Sequence, residues 1–319
     1  MADVVQTPHA DAGSIPMHRT SQASLVQRIW RAKRYYLYLL PIFALLAVFS
    51  YYPPLMALYY SFTNYDGLRG KFIGLENFTD LASDRIFLAS IKNAVILLFA
   101  NMVTGLIPPL LVAELLFSLR SQRMGDFYRT AFLIPTLVPA IVIILTWRYI
   151  YHARYGLINN VLTAIGLDFL THDWLGSFDT ALAALVFFSF PWINATIMLI
   201  LLAALIDIPR ELVDAFRLDS SSTLQRIRHV DLPYIVGAIR LVIVLNVIGT
   251  LQGFNLQFAM TGGGPGSATM VPAFHMYSQA FFSSRFGYGS AIGTLLFLVI
   301  VGLTVMTRRY LRSGIEYEA

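Results

Sequence analysis

The sequence predicts an all-α membrane protein with about six transmembrane helices, and three observations support that fold class. Hydrophobic residues make up 57% of the 319 residues and charged residues only 13%, against about 45–50% and about 25% in soluble domains. The mean hydropathy of +0.64 leaves too little polar material to cover a soluble core, so lipid is the expected solvent. Six apolar segments also reach the roughly 20 residues that a helix needs to cross a bilayer.

The predicted spans follow one another within a transmembrane domain of residues 35–312. Their bounds are residues 37–62, 90–117, 131–151, 180–206, 234–258 and 288–306. Most of them contain proline, at Pro41, Pro53, Pro54, Pro108, Pro109, Pro135, Pro139 and Pro191. Proline frees backbone carbonyls inside a helix, and in a membrane neighbouring helices or water must satisfy them. The spans are therefore expected to pack against one another as a bundle.

The two ends of the chain are predicted to lie outside the bilayer. Residues 1–34 form a polar N-terminal tail, and residues 313–319 form a short C-terminal tail. Leu25–Arg34 is either a short interfacial helix, with Trp30 at the level of the lipid headgroups, or a plain basic flank. Both interpretations of this segment remain open.

Lysine and arginine are distributed unequally between the two sides of the predicted bundle. Five precede the first span, three lie in the second loop, four in the fourth loop and three in the tail, which makes 15 on one side. The loops on the other side carry 7. The positive-inside rule therefore predicts that both termini are cytoplasmic. The net charge of +5 then reflects cytoplasmic loops, and it does not indicate nucleic-acid binding.

Several kinds of chemistry are not indicated by the sequence. The chain has no cysteine, which excludes disulfides and cysteine nucleophiles. Its histidines do not have the spacing of metal ligands. Gly262–Pro265 is rich in glycine, but no Gly-Lys-Ser/Thr follows, so it does not predict a phosphate-binding loop. The Gly289-xxx-Gly293 spacing indicates close helix packing. The sequence therefore predicts a protein that is not an enzyme and holds no cofactor of its own.

The fourth loop, residues 207–233, is long for a helix–helix connection and is patterned to fold. Pro209 suits a first helical turn, and Glu211 lies near the positive end of that helix dipole. The run Asp219–Ser222 interrupts the helix and can cap a second one. Apolar side chains recur on both sides of the run, at Leu212, Ala215, Phe216, Leu218, Leu224, Ile227 and Val230. The sequence therefore predicts two short helices before Pro233 begins the next span.

This loop resembles the cytoplasmic EAA motif in permease subunits of binding-protein-dependent ABC importers. That motif is EAA, three residues, Gly, nine residues and I-x-L-P. Here Asp214-Ala215-Phe216, Ser220 and Val230-Asp231-Leu232-Pro233 have the same spacing, with Asp for Glu, Phe for the second Ala and Ser for Gly. The resemblance implies that the loop couples the chain to an ATPase. The implied coupling residues are Glu211, Asp214, Ala215, Phe216, Asp219, Ser220, Leu232 and Pro233.

Two further stretches resemble carbohydrate-uptake permeases and, within them, the MalF-like member of the permease pair. They are FIGLENFTDL at residues 72–81, and the Thr-Gly-Gly-Gly-Pro element within residues 246–269. The resemblance implies a MalF-like (type I) permease fold in a bacterial inner membrane. It also implies a MalG-like second permease, two copies of an ABC ATPase that hold ATP and Mg, an external solute-binding protein, and a sugar or oligosaccharide substrate.

A substrate path is expected between the fourth and fifth spans, where polar side chains interrupt apolar sequence. Such groups are costly in a bilayer unless they face a cavity or another helix. The candidates from residue type and from the resemblance are Ser189, Trp192, Asn194, Thr196, Thr250, Gln252, Gly253 and Asn255. Hydrogen bonding between helices is an equal alternative for any single residue. Arg240 is the one charge well inside a predicted span, and it can snorkel or pair with Asp231 or Glu114.

Three alternative functions would place other requirements on the sequence. An ABC permease for phosphate, polyamine or phosphonate would keep the loop motif, but the FIGLENF and TGGGP elements favour a sugar. A secondary transporter would be expected to have paired repeats, which are not evident in the sequence. A membrane enzyme would need a catalytic cluster at one membrane face, and none is recognisable.

Overall fold

The computed structural model of the protein describes residues 33–219 and 222–310. Within these residues the regular structure is helical, apart from one isolated antiparallel bridge between Thr63 and Phe72. This confirms the predicted all-α class. The proposed interfacial helix at residues 25–34 lies outside the described residues except for its last two positions, and so do Ser220 and the tail 313–319.

The chain divides into two compact units, residues 1–54 and 55–319. The described part of the first unit contains α1, a π-turn and the start of α2. Up to residue 150 the helical elements are α1 (Lys33–Leu46), the π-turn (Ala47–Tyr51), α2 (Tyr52–Tyr60), α3 (Glu76–Ser83), α4 (Arg85–Phe117), α5 (Gln122–Leu133), a 3-10 turn (Ile134–Leu137) and α6 (Ala140–Ile150).

The remainder of the second unit is built from shorter helices and one long final helix. Its elements are α7 (Leu157–Ala164), a 3-10 turn (Asp168–Leu170), α8 (Ala181–Phe187), α9 (Ala195–Ile206), α10 (Arg210–Asp219), α11 (Thr223–Arg226), a π-turn (Ile227–Asp231), α12 (Leu232–Tyr234), α13 (Val236–Gln252), α14 (Asn255–Thr261), α15 (Pro272–Tyr277), a π-turn (Ser278–Phe282) and α16 (Phe286–Tyr310).

Three helical stretches of the described chain are long and apolar enough to cross a membrane: Leu37–Tyr60, Arg85–Phe117 and Phe286–Tyr310. Two bent pairs raise the number to 5 if each pair forms one span. They are Gln122–Leu137 with Ala140–Ile150, bent by 84°, and Thr223–Tyr234 with Val236–Gln252, bent by 72°. The third and fifth predicted spans fall largely on these pairs, and the count of six remains a prediction.

The fourth predicted span, residues 180–206, is not one continuous helix, which corrects the sequence-based expectation. It consists of α8 and α9, and residues 188–194 between them are not helical. Ser189 and Trp192 have positive φ angles of 65° and 59°, which a right-handed helix excludes. Pro191 lies between them and lacks the N–H that a helix interior needs. Tertiary packing therefore breaks into two helices a segment whose hydropathy predicts a single span.

The largest core lies where α9 packs against α4 and α13. Four residues of α9 are almost fully buried there: Met198, Leu201, Leu202 and Leu205. Ala113 of α4 and Val242 of α13 are fully buried in the same cluster. A helix that is apolar on all sides is stable where neighbours cover it on several faces. This core holds the C-terminal half of α4 beside the segment that follows α9.

Candidate functional site

The 207–233 loop carries the residues predicted to contact an ATPase, and it folds as helical segments. α10 follows Pro209, and α11 begins after Ser222. The Ser222 hydroxyl accepts a hydrogen bond from the backbone N–H of Gln225 at 3.4 Å, so it caps α11. The two short helices and the capping serine agree with the pattern found in the sequence. The conformation at Ser220, the family's glycine position, stays a prediction.

One apolar side chain fastens α10 to the rest of the chain. Val213 is 9% exposed and belongs to the core around α9, whereas Leu212 is 46% and Leu218 90% exposed. The sequence analysis took Leu212, Ala215, Phe216 and Leu218 as the apolar residues of this helix and overlooked Val213. The apolar surface of α10 is therefore largely uncovered within this chain. The predicted coupling residues Glu211, Asp214, Ala215 and Pro233 are exposed, and Phe216 and Leu232 are half-buried.

A buried charged cluster joins the 207–233 loop to the C-terminal end of α4. Arg226 Nε lies 2.9 Å from Asp231 Oδ2, and an Arg226 Nη atom lies 3.9 Å from Glu114 Oε2. The same guanidinium donates a hydrogen bond to Ser118 Oγ at 3.1 Å and stands 5.2 Å from the ring centre of Phe117. The sequence analysis suggested Arg240 as a partner for these acids. In the structure Arg226, and not Arg240, pairs with Asp231 and Glu114.

Arg240 has no hydrogen-bond partner at Nε or at one Nη, and both atoms are buried in the described chain. It lies on α13 near the core that α13 shares with α4, next to Ile239. The two acids proposed as its partners, Glu114 and Asp231, are paired with Arg226.

A recess of about 820 Å³ opens beside α10. The turn between α4 and α5 forms one wall and contributes Ser118, Arg120 and Ser121. The other wall includes Val213 and Asp214 of α10. The recess is polar, open and next to the exposed face of α10, so a partner could contact both surfaces together.

The segment between α8 and α9 holds the fourth-span candidates in an irregular backbone. Ser189 and Trp192 adopt the left-handed conformation, which costs a non-glycine residue free energy and persists only when the surroundings enforce it. Trp192 Nε1 donates a hydrogen bond to Val186 O at 3.0 Å. Asn194 caps α9 by accepting from Ile197 N at 3.1 Å. Ser189, Asn194 and Thr196 are exposed and Trp192 is half-buried.

A second break lies between α13 and α14, at the fifth-span candidates. Gly253 separates the two helices, and a Cβ atom built at this position would lie 2.6 Å from Gly249 O. The break therefore favours glycine on steric grounds. Gln252, Gly253 and Asn255 are all exposed there. Exposed backbone at a helix break is tolerated in a membrane protein where it lines a cavity.

Thr250 lies one turn before that break and contacts α4. Its hydroxyl accepts a hydrogen bond from Asn101 Nδ2 at 3.1 Å, so this residue does bond between helices. A cavity of about 200 Å³ lies at the same place. Its lining is Asn101, Gly105, Leu245, Asn246, Gly249 and Thr250. The cavity therefore lies between α4 and α13, and no fourth-span candidate lines it.

Asn101 and Asn246 were missed in the sequence analysis, although each is a polar residue within a predicted span. Asn246 Nδ2 is buried without a partner, and a Cβ built at Gly105 would lie 2.8 Å from Asn246 Oδ1. Gly105 thus makes room for the amide. The rule that singled out Thr250, that polar groups in a span face a cavity or a helix, would have found both asparagines.

A second polar cluster joins the N-terminal end of α4 to the last part of the chain. Asp84 Oδ1 accepts hydrogen bonds from the N–H groups of Ile86 and Phe87 at 2.8 and 3.1 Å, which caps α4. Its Oδ2 accepts from the Tyr288 hydroxyl at 2.7 Å and lies 2.9 Å from His275 Nε2. Within residues 33–219 and 222–310 no three His, Asp or Glu side chains are grouped as a metal site would require.

The glycine-rich element after α14 is a compact turn. Asn93 of α4 donates two hydrogen bonds to it, to Ser267 O at 3.0 Å and to Met270 O at 2.9 Å. Thr269 Oγ1 donates to Gly264 O at 3.0 Å.

On α16, a Cβ atom built at Gly289 would lie 3.1 Å from Ala280, and one built at Gly293 would lie 3.1 Å from Met276. The glycine pair thus permits the close packing of α16 that its spacing predicted.

The family model described as "Binding-protein-dependent transport system inner membrane component" matches residues 105–316. The probable ABC transporter permease protein YurN of Bacillus subtilis is 32% identical over 245 residues, which cover 77% of this chain and 84% of that protein. The trehalose/maltose transport system permease protein MalF of Thermococcus litoralis is 31% identical over 288 residues, which cover 89% of this chain and 94% of that protein.

A solved structure with a similar fold is that of a bacterial alginate ABC transporter in complex with an alginate pentasaccharide-bound periplasmic protein. One chain of it matches with a TM-score of 0.79 and 22% identity, over 92% of this chain and 100% of that chain. At this identity the likeness concerns the fold alone. It confirms the expected ABC importer permease fold.

Proposed function

We propose that this chain, which belongs to the family of binding-protein-dependent transport system inner membrane components, is the MalF-like permease subunit of an ATP-driven sugar importer. Members of this family are membrane components of transport systems, so the chain's task is conduction of a solute and not catalysis. The names of a relative that transports trehalose and maltose and of a structural neighbour that carries alginate support a sugar or oligosaccharide substrate.

The observation that carries the coupling role is the uncovered apolar surface of α10. Leu218 is 90% exposed on a helix whose Val213 packs into the core around α9. On a helix that lies outside the bilayer, exposed apolar side chains beside a recess favour a partner surface. We assign this surface to an ABC ATPase, with the recess beside α10 receiving part of the same partner. ATP and Mg would be held by two copies of that ATPase.

The breaks at residues 188–194 and at Gly253 support a solute path through the membrane. Irregular backbone with exposed polar groups occurs at bilayer depth where it lines a water-filled cavity or is covered by protein. A second, MalG-like permease would complete the wall that this chain leaves open. An external solute-binding protein would deliver the sugar, and the two permeases would rock to expose the path alternately to each side.

The orientation follows from the basic residues of the sequence. With both termini in the cytoplasm, the 207–233 loop meets the ATPase and the Asp84 cluster lies on the external side. An ABC permease for phosphate, polyamine or phosphonate would have the same orientation and coupling loop. The substrate therefore distinguishes the two possibilities.

Reconstituted transport tests the proposal. The chain is purified with its partner permease and ATPase and inserted into liposomes that contain ATP and Mg. Uptake of a labelled oligosaccharide is expected only when the solute-binding protein is outside and ATP is inside. Liposomes with ADP in place of ATP are the control. Uptake that continues with ADP would indicate a secondary transporter, and uptake of phosphate or polyamine instead of sugar would identify the alternative permease.

A further inference from the structure

Arg226 of the 207–233 loop forms one ion pair within the loop, with Asp231, and one with another helix, through Glu114. It belongs to α11, whereas Glu114, Phe117 and Ser118 all lie at the C-terminal end of α4. The side chain of Arg226 is 12% exposed, that of Glu114 6% and that of Asp231 0%. A charged contact between the loop and a span has thus been taken almost fully out of water.

Stability alone does not account for this cluster. Ion pairs lose much of their attraction to the cost of desolvation, and apolar residues of similar volume often hold a core equally well. Here two carboxyl groups share one guanidinium, and Asp231 Oδ1 and both Glu114 oxygens lack a hydrogen-bond partner. The planar guanidinium group of an arginine instead fixes the relative orientation of the groups that it bonds, because its N–H donors point in fixed directions. The cluster sets the position of the loop relative to α4.

The helix that receives this contact extends from one polar cluster to the other. α4 contains 33 residues without interruption, which corresponds to about 50 Å at 1.5 Å per residue. Its first turn is capped by Asp84, which also bonds His275 of α15 and Tyr288 of α16. Both ends of α4 are therefore joined by buried polar contacts to elements distant in sequence.

The covalent route from the loop into the bundle is less direct. The loop continues into α13, but the stretch Thr223–Tyr234 meets Val236–Gln252 at a bend of 72°. A π-turn, Ile227–Asp231, lies within that stretch. Bends and π-turns interrupt regular helical hydrogen bonding and are places where helices flex. α4 contains Pro108 and Pro109, but it remains one helix from Arg85 to Phe117. The buried contact of Arg226 with its C-terminal end is therefore a second route from the loop into the bundle, beside this bent connection.

We propose that Arg226 is a positioning residue that clamps the 207–233 loop to α4, so that movement of the loop displaces α4 and, through Asp84, the external elements α15 and α16. The inference rests on the proposed function, because an ATPase must move the loop. Its effect is on coupling: the arrival of loaded binding protein outside is communicated to the ATPase inside.

The first experiment replaces the arginine in the assembled transporter. Arg226→Gln is expected to co-purify with the ATPase and to keep basal ATP hydrolysis. The stimulation of ATP hydrolysis by sugar-loaded binding protein should fall about tenfold, which corresponds to the loss of one charged hydrogen bond. Arg226→Lys keeps a cation and should recover at least half of the stimulation. Arg228→Gln is the matched control, since Arg228 is exposed two residues away. Full stimulation in assembled Arg226→Gln would overturn the proposal.

A second variant covers the case in which Arg226→Gln fails to assemble. Arg226→Met with Glu114→Met and Asp231→Asn removes the buried charges together, so no carboxylate is left unpaired. We expect this triple variant to assemble, to unfold near the wild-type temperature and to be poorly stimulated. Wild-type stimulation in the triple variant would overturn the clamp.

A cross-link supplies the positive test, in a chain whose lack of cysteine makes it specific. Ser118→Cys and Arg226→Cys are joined by a bifunctional thiol reagent about as long as an arginine side chain. Stimulation should be low before cross-linking, return with the cross-link and fall again when a reducible linker is cut. Failure to return would contradict a mechanical role. Wild-type transporter without ATP-dependent sugar uptake would instead contradict the proposed function, so the two failures are distinguishable.

Discussion

Asp84 Oδ2 lies 2.9 Å from His275 Nε2, although 191 positions separate the two residues in the sequence. The same carboxyl accepts from Tyr288 and from two backbone N–H groups, so one side chain caps α4 and ties it to the chain's last elements. Partial burial opposes its ionisation, but the hydrogen bonds from Tyr288, Phe87 N–H and His275 outweigh burial and hold the pKa of Asp84 at about 2.

Asp84→Ala should lower the stability of the purified transporter, because it removes a helix cap and two side-chain contacts. We expect a loss of about 1–3 kcal/mol, measured as a lower midpoint of thermal unfolding in detergent. Asp80→Ala, an exposed carboxylate on α3, is the control and should leave the midpoint unchanged. An unchanged midpoint in Asp84→Ala would mean that the cluster contributes no net stability.

The pH dependence of that loss follows from the depressed pKa of Asp84. A carboxyl whose pKa is about 2 in the folded chain and near 3.9 when unfolded stabilises the fold fully above the unfolded value. The stabilisation is lost as the pH falls from about 4 to about 2. The difference in unfolding midpoint between wild type and Asp84→Ala should therefore shrink over that acid range. A difference that grows as the pH falls would contradict the assignment.

The orientation can be tested by single cysteines in the cysteine-free chain. Cysteine at Ser177 or at Ser267 should react with a membrane-impermeant maleimide added to intact cells. Cysteine at Ser121, which caps α5 and is exposed, should react only after the membrane is opened. Labelling of Ser121→Cys in intact cells would reverse the predicted topology.

The contact of α10 with the ATPase predicts a strong effect at Ala215. This residue is exposed, so Ala215→Arg leaves the core intact while its large charged side chain blocks the close approach of a partner. Sugar uptake should be abolished and co-purification of the ATPase should weaken. Ala164→Arg, at the exposed end of α7, should change neither quantity. Normal uptake in Ala215→Arg would remove this surface from the coupling interface.

Ser220→Gly should keep sugar uptake, since glycine adopts strained turn conformations freely.

The substrate path predicts separable effects on transport and on ATP hydrolysis. Trp192→Ala removes an aromatic surface at the fourth-span break, and Thr250→Val removes the acceptor for Asn101. Both should change uptake rate or sugar preference while assembly and basal ATP hydrolysis persist. Thr104→Val is the control, since its hydroxyl bonds only the Ala100 carbonyl of its own helix. Wild-type uptake and selectivity in both variants would assign the path to other residues.

Local sequence patterns predicted the features that depend on neighbouring residues. The apolar runs predicted helices, and the serine run before Thr223 predicted the cap that Ser222 forms. The glycine spacing at Gly289 and Gly293 predicted a closely packed face. Each of these follows from hydrogen bonding or sterics within a few residues, which is the information that a single sequence carries.

The sequence by itself determined that this is an all-α membrane protein of the ABC permease family with a patterned 207–233 loop. Only the tertiary structure decided that Arg226, and not Arg240, pairs with Glu114 and Asp231. It also decided that the fourth predicted span breaks at residues 188–194, and that Thr250 faces Asn101 across α4 and α13. These outcomes depend on which buried polar groups meet after the helices have packed. Hydropathy records only that such groups are costly in a membrane, so the choice of partner is made by packing.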